Sequence, residues 1–213
     1  TMEYTIASVA AFQPFVVSGE VEPPANPLVI PQFCLRFNDV DSVGLSGHFT
    51  GFVMLGELAF MPPAQYDKEK YVSDYLTWLN QGMGLANKDI MIHEDAWGGG
   101  GNYGCSFEFF SGGLEIGNQV YMTYLHDGKQ LQPLKINVLD MGAGHERAAW
   151  FTQGKVTSYD ATFPHVMQQL YDKTGVKPDP TFQKKIMPYS SYLNMDEVED
   201  AHKVWEMIGQ KMG

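Results

Sequence analysis

Arg36 and Arg147 are the only arginines among 213 residues. A guanidinium is a planar, permanently charged fork that grips phosphate through two hydrogen bonds or stacks on a ring, which an ammonium does less well. A chain that uses lysine for its other basic positions and keeps arginine at these two points to anion or nucleotide chemistry. Arg36 ends the apolar run 34–37 beside Asn38 and Asp39, where a strand would hand it to a loop mouth. Arg147 lies in LDMGAGHERAAW, residues 139–150. There Asp140 is expected to close a strand, Gly142 and Gly144 to permit close backbone approach, and Glu146 with Arg147 to open a helix. The segment is neither a GxGxxG dinucleotide loop nor a Walker lysine loop. It reads structurally as a turn and helix cap, and chemically as a carboxylate for an amino group beside a guanidinium for a nucleotide.

Other chemistries find less support. The six histidines contain no HExxH and no compact metal spacing, which argues against a catalytic zinc. Cys34 and Cys105 form neither a disulfide framework nor a ligand cluster, so both are expected as reduced thiols in a cytoplasmic protein, with Cys105 packed rather than nucleophilic. No signal peptide and no uninterrupted apolar span is present, so no membrane partner is expected. A composition of 44% hydrophobic and 18% charged residues suits one substantial core or a core plus a small appendage. The net charge of −11 repels a polyanionic backbone, so extensive tRNA or DNA binding by this chain alone is disfavoured while one triphosphate is easily accommodated.

The elements that must position these groups follow from periodicity and punctuation. Residues 4–17 are apolar with alternating or short helical character, and the proline-rich run 21–32 predicts a stiff extended connection. Strands are predicted at 34–37 and 49–60, joined by a loop at 41–48. A helix is predicted over 65–79 from the spacing of Tyr71, Val72, Tyr75, Leu76 and Leu79. Further strands are expected at 89–94, 107–110, 114–125 and 134–140, with WGGGGNYG at 97–104 as a loop. Asp127 and Gly128 give the strongest hairpin turn. Helices are expected at 146–151 and 163–173. After a proline-bearing linker at 175–180 comes an amphipathic tail with Asp196 and Glu199 as a capping box and Val198, Ala201, Trp205 and Ile208 on one face. This order predicts an α+β fold, an antiparallel sheet flanked by helices, with a core over 1–174 and a helical extension over 175–213.

Several long stretches together resemble the catalytic core of the alanyl-tRNA synthetase family in its archaeal form. ASVAAFQPFVVSGEVEPPANPLVIPQFCLRFNDVDSVG is similar to the passage from the first class II motif into the second, EDAWGGGGNYGCSFEFFSGGLEIGNQVYMTY to the substrate-pocket region, and LDMGAGHERAAWFTQG with SYDATF to the third motif. The resemblance implies a class II synthetase-like sheet and ATP- and Mg²⁺-dependent activation of a small amino acid, alanine, glycine or serine, to an aminoacyl-adenylate. It matches Arg36 to the arginine on the ATP α-phosphate, Phe52 to the aromatic stacked on adenine, and Arg147 to the arginine over the other adenine face or the distal phosphate, with Gly144 beside the nucleotide. It matches Asp140 to the aspartate that takes the substrate ammonium, places Trp97, Asn118, Val120 and Gly142 at the amino-acid pocket, and makes Glu108 a metal or water ligand.

The chain also departs from that pattern. GLSGHFTGFVM, residues 44–54, lacks the arginine that precedes the family's histidine-like position, and Val53 stands where the family has glutamate. Met141 replaces a threonine, and a proline between Gly104 and Cys105 is missing. The short first motif and the lack of RNA-facing and editing regions lead to the expectation of a non-tRNA acceptor, a small amine or carrier protein, and leave homo- or hetero-oligomers open. A noncatalytic synthetase-like binding or regulatory subunit is the alternative.

Overall fold

The structure, a computed structural model, describes residues 4–38, 40, 43, 47–177, 179–186, 189 and 200–213, without the side chains of 183, 184 and 201. The 41–48 loop in large part, and the capping box at Asp196 and Glu199, lie outside the described residues. Two compact units divide the chain. One comprises Thr1–Cys34, Val53–Ser111 and Glu115–Gly144, and the other Leu35–Phe52, Gly112–Leu114 and His145–Gly213.

The first unit carries nearly all of a six-stranded antiparallel sheet in the order β1-β2-β6-β5-β4-β3. Its strands are β1 (Leu28–Leu35), β2 (Gly51–Met61), β3 (Met91–Gly99), β4 (Asn102–Ser111), β5 (Leu114–His126) and β6 (Leu131–Gly144). β1 begins earlier than the prolines suggested. Pro31 is tolerated because β1 is an edge strand, which is paired on one side only. Ahead of it, Asn26 stitches the proline-rich segment to β2: its Nδ2 donates to the Phe60 carbonyl at 2.6 Å and its Oδ1 accepts from the Phe60 amide at 3.0 Å.

The glycine run expected as a loop is instead strand and turn. β3 and β4 continue to the pair Gly99 and Asn102, and only Gly100 and Gly101 turn, both at positive φ (59° and 85°), as a two-residue hairpin in the right-handed twist requires. The Asp127 turn forms as predicted, its Oδ1 accepting from the Lys129 and Gln130 amides at 2.8 and 2.9 Å. β6 also outruns its prediction by four residues, so Asp140, Gly142 and Gly144 are all strand residues.

Two cores sandwich the sheet within this unit. On one face α1 (Lys68–Gln81), capped by Asp67 Oδ1 on the Lys70 amide at 3.0 Å, buries Tyr71, Tyr75 and Leu79, one residue per turn. Tyr71 joins Ala59, Tyr121 and Leu139 in one cluster, while Tyr75 meets Phe109 edge-on at 4.7 Å. On the other face a 3-10 turn, Ser8–Ala11, and residues up to Val17 cover Leu58, Phe60, Val120, Met122 and Val138. Burial of this kind contributes about 25 cal/mol per Å² of apolar surface and holds the strands in register.

The second unit is helical apart from the segment 35–52. It contains α2 (His145–Gln153), α3 (Ser158–Thr162), α4 (Pro164–Thr174), α5 (Pro180–Ile186) and α6 (Ala201–Met212). α3 was not anticipated. Its start is a capping box in which Thr157 and Asp160 exchange side-chain and backbone hydrogen bonds, and Tyr171 of α4 donates to Asp160 Oδ1 at 2.7 Å. Burial and the Asp160 carboxylate push the Tyr171 phenol up to about 12. α6 buries Ile208, as the amphipathic spacing predicted, while Trp205 stays 41% exposed.

Candidate functional site

Strand alternation sorts the candidate residues in the first unit. On β6, Asp140 and Gly142 point to the face opposite α1, because Leu139 between them packs into the α1 cluster. The ladder sets Asp140 between Leu58 of β2 and Val120 of β5, and Gly142 between Gly56 and Asn118. Cys105 and Phe107 pack on the α1 side, which puts Glu108 on the same face as Asp140. Trp97 packs against the Val120 and Met122 core, and its ring folds over Gly99. The six residues expected at the amino-acid and metal positions therefore share one sheet face.

Asp140 is 7% exposed, between side chains of which Leu58 and Val120 are 0% and 2% exposed. A carboxylate this sheltered suits a ligand ammonium, since a charge pair gains strength as water is excluded. Glu108 is partly exposed and its Oε2 lies 3.1 Å from His93 Nδ1 across the β3 to β4 ladder. No group of three or more His, Cys, Asp or Glu stands ready for a metal among the described residues. Magnesium seldom requires one: it commonly takes one or two carboxylates and completes its shell from phosphates and water. An accessible carboxylate such as Glu108 fits that role once it releases His93.

Of the nucleotide candidates, Gly144 ends β6 in the first unit, while Arg36, Phe52 and Arg147 lie in the second, where both guanidinium groups engage the short segment 47–52. The Arg36 amide donates to the Thr50 carbonyl at 2.9 Å, and the Arg36 guanidinium carbon sits 5.3 Å from the centroid of the Phe52 ring. Arg147, on the first turn of α2, donates from Nε to the Gly47 carbonyl at 3.2 Å. Gly47 immediately precedes His48, and it is buried. A Cβ there would stand 3.3 Å from Trp150 Cζ3 and 3.4 Å from Arg147 Nε, so this position is packed against α2. Phe49 continues the same contact, edge-on to Tyr159 at 5.1 Å.

Residues that sequence reasoning missed surround these groups. Ser8 and Met54 stand over the two glycines of the Asp140 face, and nothing in the linear sequence brings positions 8, 54 and 142 together. Gln119 is fully buried on the opposite face, donating to the Tyr71 carbonyl at 2.9 Å and accepting from the Tyr121 hydroxyl at 2.6 Å. Its signal was visible as a polar residue inside an apolar strand. Glu57, also toward α1, has its carboxyl held above the usual range, first by burial and then by Asp74, with Lys70 opposing.

The chain resembles known proteins over most of its length. An alanine–tRNA ligase from Methanocella arvoryzae is 49% identical over 98% of this chain, and one from Nitrosopumilus maritimus is 36% identical over 99%. In both cases the chain spans 24% of the relative's own length. A pyrrolysyl-tRNA synthetase from Desulfitobacterium hafniense superposes with a TM-score of 0.48, over 73% of this chain and 52% of that one at 14% identity. The family model described as tRNA synthetases class II (A) matches residues 1–193. With so much of its length matched, and with an antiparallel sheet flanked by helices, this chain belongs to the class II (A) tRNA synthetase family.

Proposed function

We propose that the protein to which this chain belongs activates a small amino acid with ATP, and that this chain carries the adenylating site. Alanine is the first candidate, glycine and serine the next. The observation that carries the reading is Asp140, a sheltered carboxylate between Val120 and Leu58, one row from Gly142 and Asn118 on the same face. In this assignment Asp140 takes the substrate ammonium, while Trp97, Asn118, Val120 and Gly142 wall its side chain. Arg36 and Phe52 take the α-phosphate and adenine, with the base on the ring face that Arg36 leaves open. By the family resemblance Arg147 and Gly144 are also assigned to the nucleotide.

The chemistry asks for charge neutralisation and alignment. A substrate carboxylate oxygen attacks the α-phosphorus, the bond to the bridging oxygen breaks, and pyrophosphate leaves. Two anions must approach, so positioned guanidinium groups stabilise the crowded phosphoryl centre without any covalent protein nucleophile. Magnesium, held through Glu108 and the phosphates, would screen the remaining negative charge.

tRNA is the acceptor we propose for the whole protein, because the relatives matched are named as alanine–tRNA ligases. No observation supports a small amine or carrier protein in its place. The division into a core over 1–174 and an extension over 175–213, and a cytoplasmic location, belong to the same proposal. Among the described residues no helix is long and apolar enough to cross a membrane. A noncatalytic subunit has only Val53 and the loop without arginine in its favour. Amino-acid-dependent exchange of pyrophosphate into ATP tests the reading, and a folded protein that exchanges with none of the small amino acids refutes it.

A further inference from the structure

Gly56 on β2 and Gly142 on β6 are direct ladder partners, and Asn118 on β5 extends the row. Neither glycine raises a side chain, so the row forms a hollow beside Asp140. Residues two apart on one strand face are about 6.6 Å apart, which makes this hollow the neighbouring cell for anything bound at Asp140. The structure fills it from the sides. A Cβ at Gly142 would stand 3.0 Å from Met54 Sδ, 3.2 Å from Asn118 Oδ1 and 3.4 Å from Met54 Cε. A Cβ at Gly56 would collide with Ser8 Cβ and Oγ. Met54 shares this face because its ladder partner, Gly144, is two residues beyond Gly142.

We propose that Met54 determines specificity: its thioether is the wall at which the substrate side chain ends, at a distance fitted to a methyl group. This rests on the reading that Asp140 receives the substrate ammonium. Ser8 acts as the brace. It is 0% exposed and fills the cell over Gly56, between Met54 and Leu58 on the same strand face, so the thioether cannot retreat along β2. Among the described residues the Ser8 hydroxyl has no hydrogen-bond partner, and steric filling accounts for its place there. An unbranched thioether yields more readily than a β-branched side chain. The wall therefore fits a hydrogen or a methyl group and yields only at a cost to a side chain longer by one heavy atom, the hydroxymethyl of serine or the ethyl of 2-aminobutyrate.

The test compares pyrophosphate exchange for alanine and 2-aminobutyrate. Met54→Ala should raise the kcat/KM ratio of 2-aminobutyrate over alanine about 10- to 200-fold, the usual worth of one methylene in an apolar pocket. Ser8→Gly, which removes the brace and leaves the wall, should raise it by a smaller factor. A variant that melts cooperatively, still exchanges with alanine and keeps the wild-type ratio overturns the inference while leaving the adenylating function standing. Should Met54→Ala lose its melting transition, Met54→Val is read in the same way. A wild-type protein without exchange for any amino acid overturns the functional reading, and this one with it.

Discussion

Replacing Gln119 with leucine removes a polar pair from the sheet face opposite Asp140 while keeping the side-chain volume close to the original. The amide donates to the Tyr71 carbonyl and accepts from the Tyr121 hydroxyl, and both Gln119 and Tyr121 are at most 1% exposed. Losing the first bond costs about 1 kcal/mol, and stranding the buried Tyr121 hydroxyl costs about 1–3 kcal/mol more. The sum, about 2–4 kcal/mol, lowers Tm by roughly 5–15 °C in a chain of this size. Tyr121→Phe alone strands the Gln119 carbonyl and destabilises by about 1–3 kcal/mol. The double variant removes donor and acceptor together, so its loss should fall short of the summed single losses by about 1–2 kcal/mol. Thermal and urea melts of the four proteins measure this cycle. Strict additivity would show that the two side chains do not depend on each other, and the account of how β5 is held against α1 would fail.

Three further outcomes are expected. Glu57 has a folded pKa above its ordinary value of 4.5, so its ionisation is penalised in the folded state. Stability is complete below that value and declines as pH rises through the raised pKa. Glu57→Gln should therefore melt higher than wild type at pH 7 and match it near the ordinary value, and equal melting at both would refute the burial argument. Gly104→Ala would drive a Cβ into the Tyr121 backbone carbonyl, so the β4 to β5 pairing should fail, with a loss of several kcal/mol seen as absence of a cooperative melt. Arg147→Met should weaken ATP binding in calorimetry and speed amide exchange around residues 47–50, because the Nε bond to the Gly47 carbonyl is lost. Unchanged exchange there would separate the guanidinium from that segment.

Much of the sheet and α1 could be read directly from residue patterns. Tyr71, Tyr75 and Leu79 recur at helical spacing because one stripe of α1 meets the sheet, and Asp127 marks its turn through its own side-chain oxygen. The glycine run at 98–101 misled because composition does not distinguish a loop from a strand that lacks side chains to make room. Gly98 and Gly99 lie under the rings of Tyr103 and Trp97, a tertiary reason no local window contains. α3 and α5 escaped because five- and seven-residue helices hold too few turns to show a period. At the site, pairs such as 118 with 120 and 140 with 142 carry the strand period. The union of positions 8, 54 and 142 depends on a register that only the folded ladder supplies.

The two margins of the sheet differ in how they discourage company. Along β1 a proline deletes one amide donor, so an approaching strand meets a broken template there. Along β3 the sequence His93, Glu94, Asp95 sets exposed charge where a recruited strand would need neutral pairing. At these positions an antiparallel sheet with both borders blunted in this way resists growth by strand capture.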